Sequence, residues 1–122
     1  MKRDFFSVKK WLLRFRHACN GLFSSFRTEQ TVWVHLVATI SVIALSVFKQ
    51  IKGMEAIAIT FAMGLVWMAE LFNTAIEKLA DKVTKEYSEQ IKLVKDLSAA
   101  AVLVISIVAV ITGLIIFIPK FM

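Results

Sequence analysis

The sequence predicts an all-α membrane protein: an N-terminal amphipathic helix lying in the interface, followed by three helices that cross the bilayer. Three observations carry that reading. Apolar residues make up 58% of the chain and the mean hydropathy is +0.72, the composition of a membrane protein. These residues come in long runs with the charged residues gathered between them. A basic amphipathic pattern precedes the first run. The length of 122 residues allows a single domain over 1–122.

The first element covers about residues 5–27. On a helical wheel Val8, Trp11, Leu12, Phe15, Ala18, Cys19, Leu22, Phe23 and Phe26 share one face. Lys9, Lys10, Arg14, Arg16, His17, Asn20, Ser24 and Arg27 share the other, and Leu13 alone is misplaced. Such a helix lies flat at the membrane surface. Cys19 is the sole cysteine, which excludes an intrachain disulfide. The segment before Lys9 has no apolar stretch and does not read as a cleavable signal peptide.

The first span covers about 31–48. Its eighteen residues reach about 27 Å at the helical rise, just enough to cross. His35, near one end, reads as a satisfied interfacial histidine and not as a ligand. Lys49-Gln-Ile-Lys-Gly53 then reverses the chain. The second span covers about 54–73. Its charge-free part, Ala56 to Ala69, accounts for only about 21 Å, so crossing carries Glu70 to the membrane boundary or inside it. A polar segment follows, with a break expected around Thr84–Ser88 and Ser88 as a candidate helix cap. The third span covers about 97–118, and its small residues, Ser98 to Ala101, Ser106, Ala109 and Gly113, suit close helix packing.

Basic residues set the expected orientation. Seven lie before the first span and five between the second and third, against Lys49, Lys52 and Lys120 elsewhere. Twelve against three places the N-terminus and the second loop in the cytoplasm. Because these charges flank apolar spans, lipid headgroups and topology account for the net charge of +6, and no nucleic-acid partner is expected.

Chemistry concentrates in Glu70-Leu-Phe-Asn-Thr-Ala-Ile-Glu-Lys-Leu-Ala-Asp81. On a helix Glu70, Asn73, Thr74, Glu77 and Asp81 fall within a sector of roughly 100°. Carboxylates at the end of a membrane helix are costly unless they bind a cation, or a phosphate with its cation. Mg2+ usually takes one or two carboxylates plus phosphate oxygens and water, so Glu77 and Asp81 are candidate ligands, with Glu29 able to join from the start of the first span. Glu70, held at depth, suits a proton acceptor. The bland alternative is a solvated network in which these acids pair with Lys78, Lys82, Lys85 and Lys95; it suits Asp81 and Glu89 better than Glu70. A small oligomeric cation or proton channel fits the acidic stripe as well. No P-loop, kinase glycine-rich loop, G-x-G-x-x-G or Cys/His metal cluster is present.

Glu70 to Glu77 resembles the E-x-x-N-[ST]-A-I-E signature of the prokaryotic diacylglycerol kinases, small integral membrane lipid kinases, and Asp81 continues the pattern. Lys95-Asp96-Leu-Ser-Ala-Ala-Ala-Val102 is similar to that family's K-D-x-x-[SA]-A-A-V entry to the third span, and Asn20-Gly-Leu22 with Glu29 resembles its N-terminal segment. The likeness covers nearly the whole chain. It implies transfer of the γ-phosphoryl group of ATP to a membrane lipid alcohol, with Glu70 as general base and Glu29 and Glu77 holding Mg2+. Asn73 would position phosphate. The implied nucleotide contacts are Lys10, His17, Glu29, Asn73, Glu77, Asp81, Glu86, Tyr87, Ser88, Lys95 and Asp96; the implied lipid contacts are Lys10, Glu70 and Ala99. It also implies a homotrimer with sites shared between chains, multi-pass in a bacterial inner or plasma membrane with the site at the cytoplasmic face.

The chain departs from the family's best-known branch, which has arginine at Lys10, tyrosine at His17 and serine at Ala99. Arg16-His-Ala-Cys-Asn-Gly-Leu22 more closely resembles the undecaprenol kinase branch. Both diacylglycerol and undecaprenol therefore stand as lipid alcohols.

Overall fold

The computed structural model of the chain describes residues 7–122, and among these there are four α-helices and no strand. Helix α1 spans Val8–Thr28, α2 Gln30–Phe48, α3 Met54–Val83 and α4 Glu89–Phe121. The expected start of the first helix, residues 5 and 6, lies outside the described residues. By length and composition α2, α3 and α4 can each cross a membrane. The expected spans fall inside these three helices.

Helices α3 and α4 run on past the apolar zone. Thirty residues make α3 about 45 Å long, more than a bilayer core needs. Its last turns, Ala75-Ile-Glu-Lys-Leu-Ala-Asp-Lys82, hold several strong helix formers, so the acidic stripe is helical throughout. The helix stops at Thr84, whose backbone is extended (φ −154°, ψ 143°). The Ser88 hydroxyl accepts the Ile91 N–H and caps α4, as its position before the third apolar run suggested. Pro119 does not end α4, because its missing N–H costs a bond only in the final turn.

Helices α3 and α4 form the principal pair, antiparallel across the Thr84–Ser88 loop. Lys95 meets Asp81 near the loop, Ser98 meets Asn73 further along, and Lys120 Nζ reaches Glu55 Oε2 at 3.3 Å at the far end. Helix α2 runs alongside α3, where Trp67 Nε1 donates to Thr39 Oγ1 at 2.8 Å. Helix α1 turns into α2 at the single extended residue Glu29. Phe26 of α1 stacks edge-on to Trp33 with centroids 5.5 Å apart, and Trp33 Nε1 donates to the Phe26 carbonyl at 2.9 Å.

Five hydroxyls within the spans are satisfied by their own helices. Thr39, Ser41, Ser46, Thr60 and Thr112 each donate to the carbonyl four residues earlier, the solution open to a polar side chain in a medium without water. At the end of α2 the chain reverses through Gln50 in the left-handed region (φ 55°), with Ile51 N–H bonding the Ser46 carbonyl and Gln50 N–H the Val47 carbonyl. Gly53 (φ 64°) completes the turn at a position that suits glycine.

Ser106, Ala109 and Gly113 of α4 line a mostly apolar cavity of about 560 Å³ shared with α2 and α3, and a Cβ on Gly113 would meet nothing within 4 Å. Helix α2 leans on α3 and leaves this stretch of α4 uncovered.

Candidate functional site

Helix α3 supplies the frame. Glu70 lies about 24 Å along it from Met54 and Asp81 about 40 Å, against a bilayer core of about 30 Å. Their polar side chains descend the helix in a row, with Asn73 and Glu77 between. Glu70 is 5% exposed, among the most buried polar residues described. A carboxylate at that depth requires partners, and α2 provides them. Thr31 Oγ1 donates to Glu70 Oε1 at 2.7 Å, and His35 Nε2 lies 3.3 Å from Glu70 Oε2.

One turn further, Ser98 Oγ of α4 donates to Asn73 Oδ1 at 2.7 Å, and Asn73 Nδ2 donates to Glu77 Oε1 at 3.4 Å. Glu29, at the α1–α2 junction, pairs with Lys78 Nζ at 3.4 Å. Lys78 adjoins Glu77 in sequence, so this ion pair draws the junction to the acidic end of α3. Beyond it Lys95 of α4 binds Asp81 of α3, and Lys92 pairs with Asp96 one turn along α4 at 2.6 Å. The solvated lysine pairing expected for Asp81 is thus present, and Glu70 has no lysine partner among the described residues.

A cleft of about 590 Å³ opens where α3 gives way to α4. Asp81, Glu86, Tyr87, Ser88 and Lys95, five of the residues that the resemblance assigns to nucleotide, line it, together with Lys85 and Lys92. Of its three lysines, Lys95 is paired with Asp81 and Lys92 with Asp96. Asp96 is not among the lining residues, although Lys92, which pairs with it, is. Lys10 and His17 lie exposed on α1, with no ion pair or hydrogen bond to a described site residue; Ala99 is exposed beside buried Ser98.

The donor set bears on magnesium. Among the described residues no three His, Cys, Asp or Glu side chains gather closely enough to hold a metal by themselves. Glu29, paired with Lys78, and Glu77, which accepts from Asn73, are single carboxylates of the kind Mg2+ takes beside phosphate oxygens and water. Three residues of this site were not marked as functional in the sequence: Thr31, His35 and Ser98. Thr31 and His35 stand four apart in an apolar helix, a pairing that invites a buried polar partner, but only the packing of α2 on α3 names Glu70 as that partner.

A model of the family described as prokaryotic diacylglycerol kinase matches residues 16–117. The chain is 32% identical over 113 residues to an undecaprenol kinase of Bacillus subtilis (strain 168), covering 93% of this chain and 92% of that protein. It is 33% identical over 103 residues to a diacylglycerol kinase of Synechocystis, with 84% of this chain and 59% of that protein covered. A diacylglycerol kinase of Escherichia coli (strain K12) is 29% identical over 96 residues, 79% of each chain. Fold, site and relatives together define a lipid kinase embedded in a bacterial membrane through several helices. The chain belongs to the prokaryotic diacylglycerol kinase family.

Proposed function

We propose that the chain transfers the γ-phosphoryl group of ATP to the hydroxyl of a membrane lipid alcohol, diacylglycerol or undecaprenol, at the cytoplasmic face of the membrane. The observation that supports this best is Glu70, buried at the inner end of a polar row whose outer end opens into a lysine-lined cleft. Phosphoryl transfer demands little covalent chemistry from a protein, mainly placement of the two reactants and neutralisation of charge. A row from Glu70 to Asp81, about 16 Å along one helix face, matches an elongated ligand lying between solvent and membrane.

In this reading Lys95, Asp81 and the Glu86-Tyr-Ser88 turn hold the nucleotide, and Asn73 Nδ2 orients a phosphate oxygen. Glu29 and Glu77 hold Mg2+, which when bound offsets the negative charge on the phosphates. Glu70 accepts the proton of the lipid hydroxyl as that oxygen attacks phosphorus. The single domain over 1–122 carries the activity, α1 lies in the cytoplasmic interface with its Trp and Phe residues among lipid tails, and three chains assemble with sites shared between neighbours. Lys10, His17 and Ala99 then meet lipid or nucleotide in that assembly.

Of the relatives above, the one whose length this chain covers most fully carries the undecaprenol name, so undecaprenol is the first alcohol to assay. The test supplies the purified chain with labelled Mg-ATP and either undecaprenol or diacylglycerol in mixed micelles. Label is expected in the phosphorylated form of one of them, and Glu70→Gln is expected to lose turnover while remaining a trimer. Label in neither lipid, with cation flux in liposomes lacking ATP, would instead establish a channel.

A further inference from the structure

We infer that Thr31 and His35 are positioning residues that clamp the Glu70 carboxylate in the orientation proton acceptance needs. The inference rests on the proposed role of Glu70 as base and adds two residues which that reading leaves unassigned.

Thr31 and His35 are one turn apart on α2 and project from the same face. That face meets Glu70: Thr31 Oγ1 donates to Oε1 at 2.7 Å, and His35 Nε2 stands 3.3 Å from Oε2. Oε1 is thus hydrogen-bonded by Thr31 and Oε2 lies within ion-pair distance of His35, and rotation of the carboxylate disrupts both contacts. A carboxylate has about four lone-pair sites, so two engaged sites leave room for an incoming hydroxyl.

The clamp is itself supported from both helices. Thr39 Oγ1 donates to the His35 carbonyl at 2.7 Å and accepts the Trp67 indole N–H at 2.8 Å, while the Trp67 and His35 rings lie 6.2 Å apart. Trp67 precedes Glu70 by three residues on α3, so the same turn that presents the carboxylate also braces the imidazole. The indole N–H is satisfied by the Thr39 hydroxyl and the hydroxyl proton by the His35 carbonyl, so neither competes for the imidazole Nε2.

A purely structural pair would be needed for folding and would leave kcat untouched in any variant that folds. A positioning pair lowers kcat in a folded enzyme, because small displacements of a catalytic group are costly. The experiment uses the full chain in mixed micelles with Mg-ATP, and with diacylglycerol and undecaprenol in parallel. Thr31→Val and His35→Ala are each expected to lower kcat about tenfold at unchanged KM for ATP. Thr31→Ser and His35→Gln, which restore a donor at nearly the same place, are expected to recover most of it. The Glu70 carboxylate band, isolated as the infrared difference between the parent chain and Glu70→Gln, is expected to shift in Thr31→Val and to stay in place in Thr31→Ser. Thr31→Ala gives the same reading should Thr31→Val not fold.

Wild-type kcat and an unmoved band in folded Thr31→Val and His35→Ala, with Glu70→Gln inactive, overturn the clamp and leave the base assignment standing. Turnover retained by Glu70→Gln overturns the base assignment, and the clamp falls with it.

Discussion

Ser98 of α4 donates a hydrogen bond to the side-chain carbonyl of Asn73 on α3 at 2.7 Å, and Ser98 is only 8% exposed. The contact does more than join two helices. By occupying the amide oxygen it turns the Asn73 N–H2 toward Glu77. Packing between spans thereby sets the direction of a donor in the proposed phosphate path.

Removing that hydroxyl is expected to loosen the donor without dismantling the pair. Ser98→Ala should lower stability by about 1 kcal/mol, the worth of one intramolecular hydrogen bond. It should lower turnover by less than Asn73→Ala, for which a loss of about 10²-fold is expected for a preorganised donor to transition-state charge. Thermal unfolding in detergent and initial rates of lipid phosphorylation measure the two effects. Equal turnover in Asn73→Ala and the parent chain would remove Asn73 from the phosphate path.

Lys95 and Asp81 make an ion pair at the mouth of the cleft, where the Asp81 side chain is 66% exposed. An exposed pair is worth about 0–1 kcal/mol, so Lys95→Met should leave the unfolding midpoint nearly unchanged. Its expected effect lies in binding: a higher KM for ATP with a smaller change for the lipid. Steady-state kinetics in each substrate separate these quantities, and an ATP KM equal to that of the parent chain counts against a nucleotide role.

The proposed role of Glu29 and Glu77 carries a dependence on magnesium. Chelation with EDTA is expected to abolish lipid phosphorylation, and added Mg2+ to restore it. Glu77→Gln removes one anionic ligand and should move half-maximal turnover to a higher Mg2+ concentration. A titration curve unaltered by that substitution would place the ion elsewhere.

Orientation is open to a direct chemical test. With Cys19 replaced by serine, Tyr87→Cys in the α3–α4 loop should react with an impermeant thiol reagent only from the cytoplasmic side. Lys52→Cys in the α2–α3 turn should react only from outside. The excess of basic residues before α2 and between α3 and α4 is what predicts that orientation.

Gln50 sits at φ 55° in the turn after α2, where a Cβ crowds the following carbonyl. Gln50→Gly removes the crowding and should raise the unfolding free energy by about 1 kcal/mol. Turnover should not change, since the turn lies at the opposite end of α3 from the site. A lowered unfolding midpoint would show that Gln50 makes a stabilising contact.

Much of this architecture is legible in the chain itself. Long charge-free runs mark the first and third spans, and the shortness of the run from Ala56 to Ala69 is what points Glu70 toward the membrane boundary. Helical periodicity puts Glu70, Asn73, Glu77 and Asp81 on one face, and Ser88 announces the start of α4. These features are local: they depend on hydrophobicity and on the geometry of one helix, which a sequence carries in full.

Which residues of different helices meet is another matter. His35 reads from the sequence as an interfacial histidine, yet folding sets it against a carboxylate thirty-five positions away; Thr31 and Ser98 carry no mark of their own until α2 and α4 close on α3. Helix register arises from side-chain packing between surfaces that are uniformly apolar in sequence, so many alignments look alike until the tertiary structure selects one. The row of acids was determined by the amino-acid order. Their partners were decided by how the helices pack, because a buried polar group takes the nearest complementary atom the fold supplies.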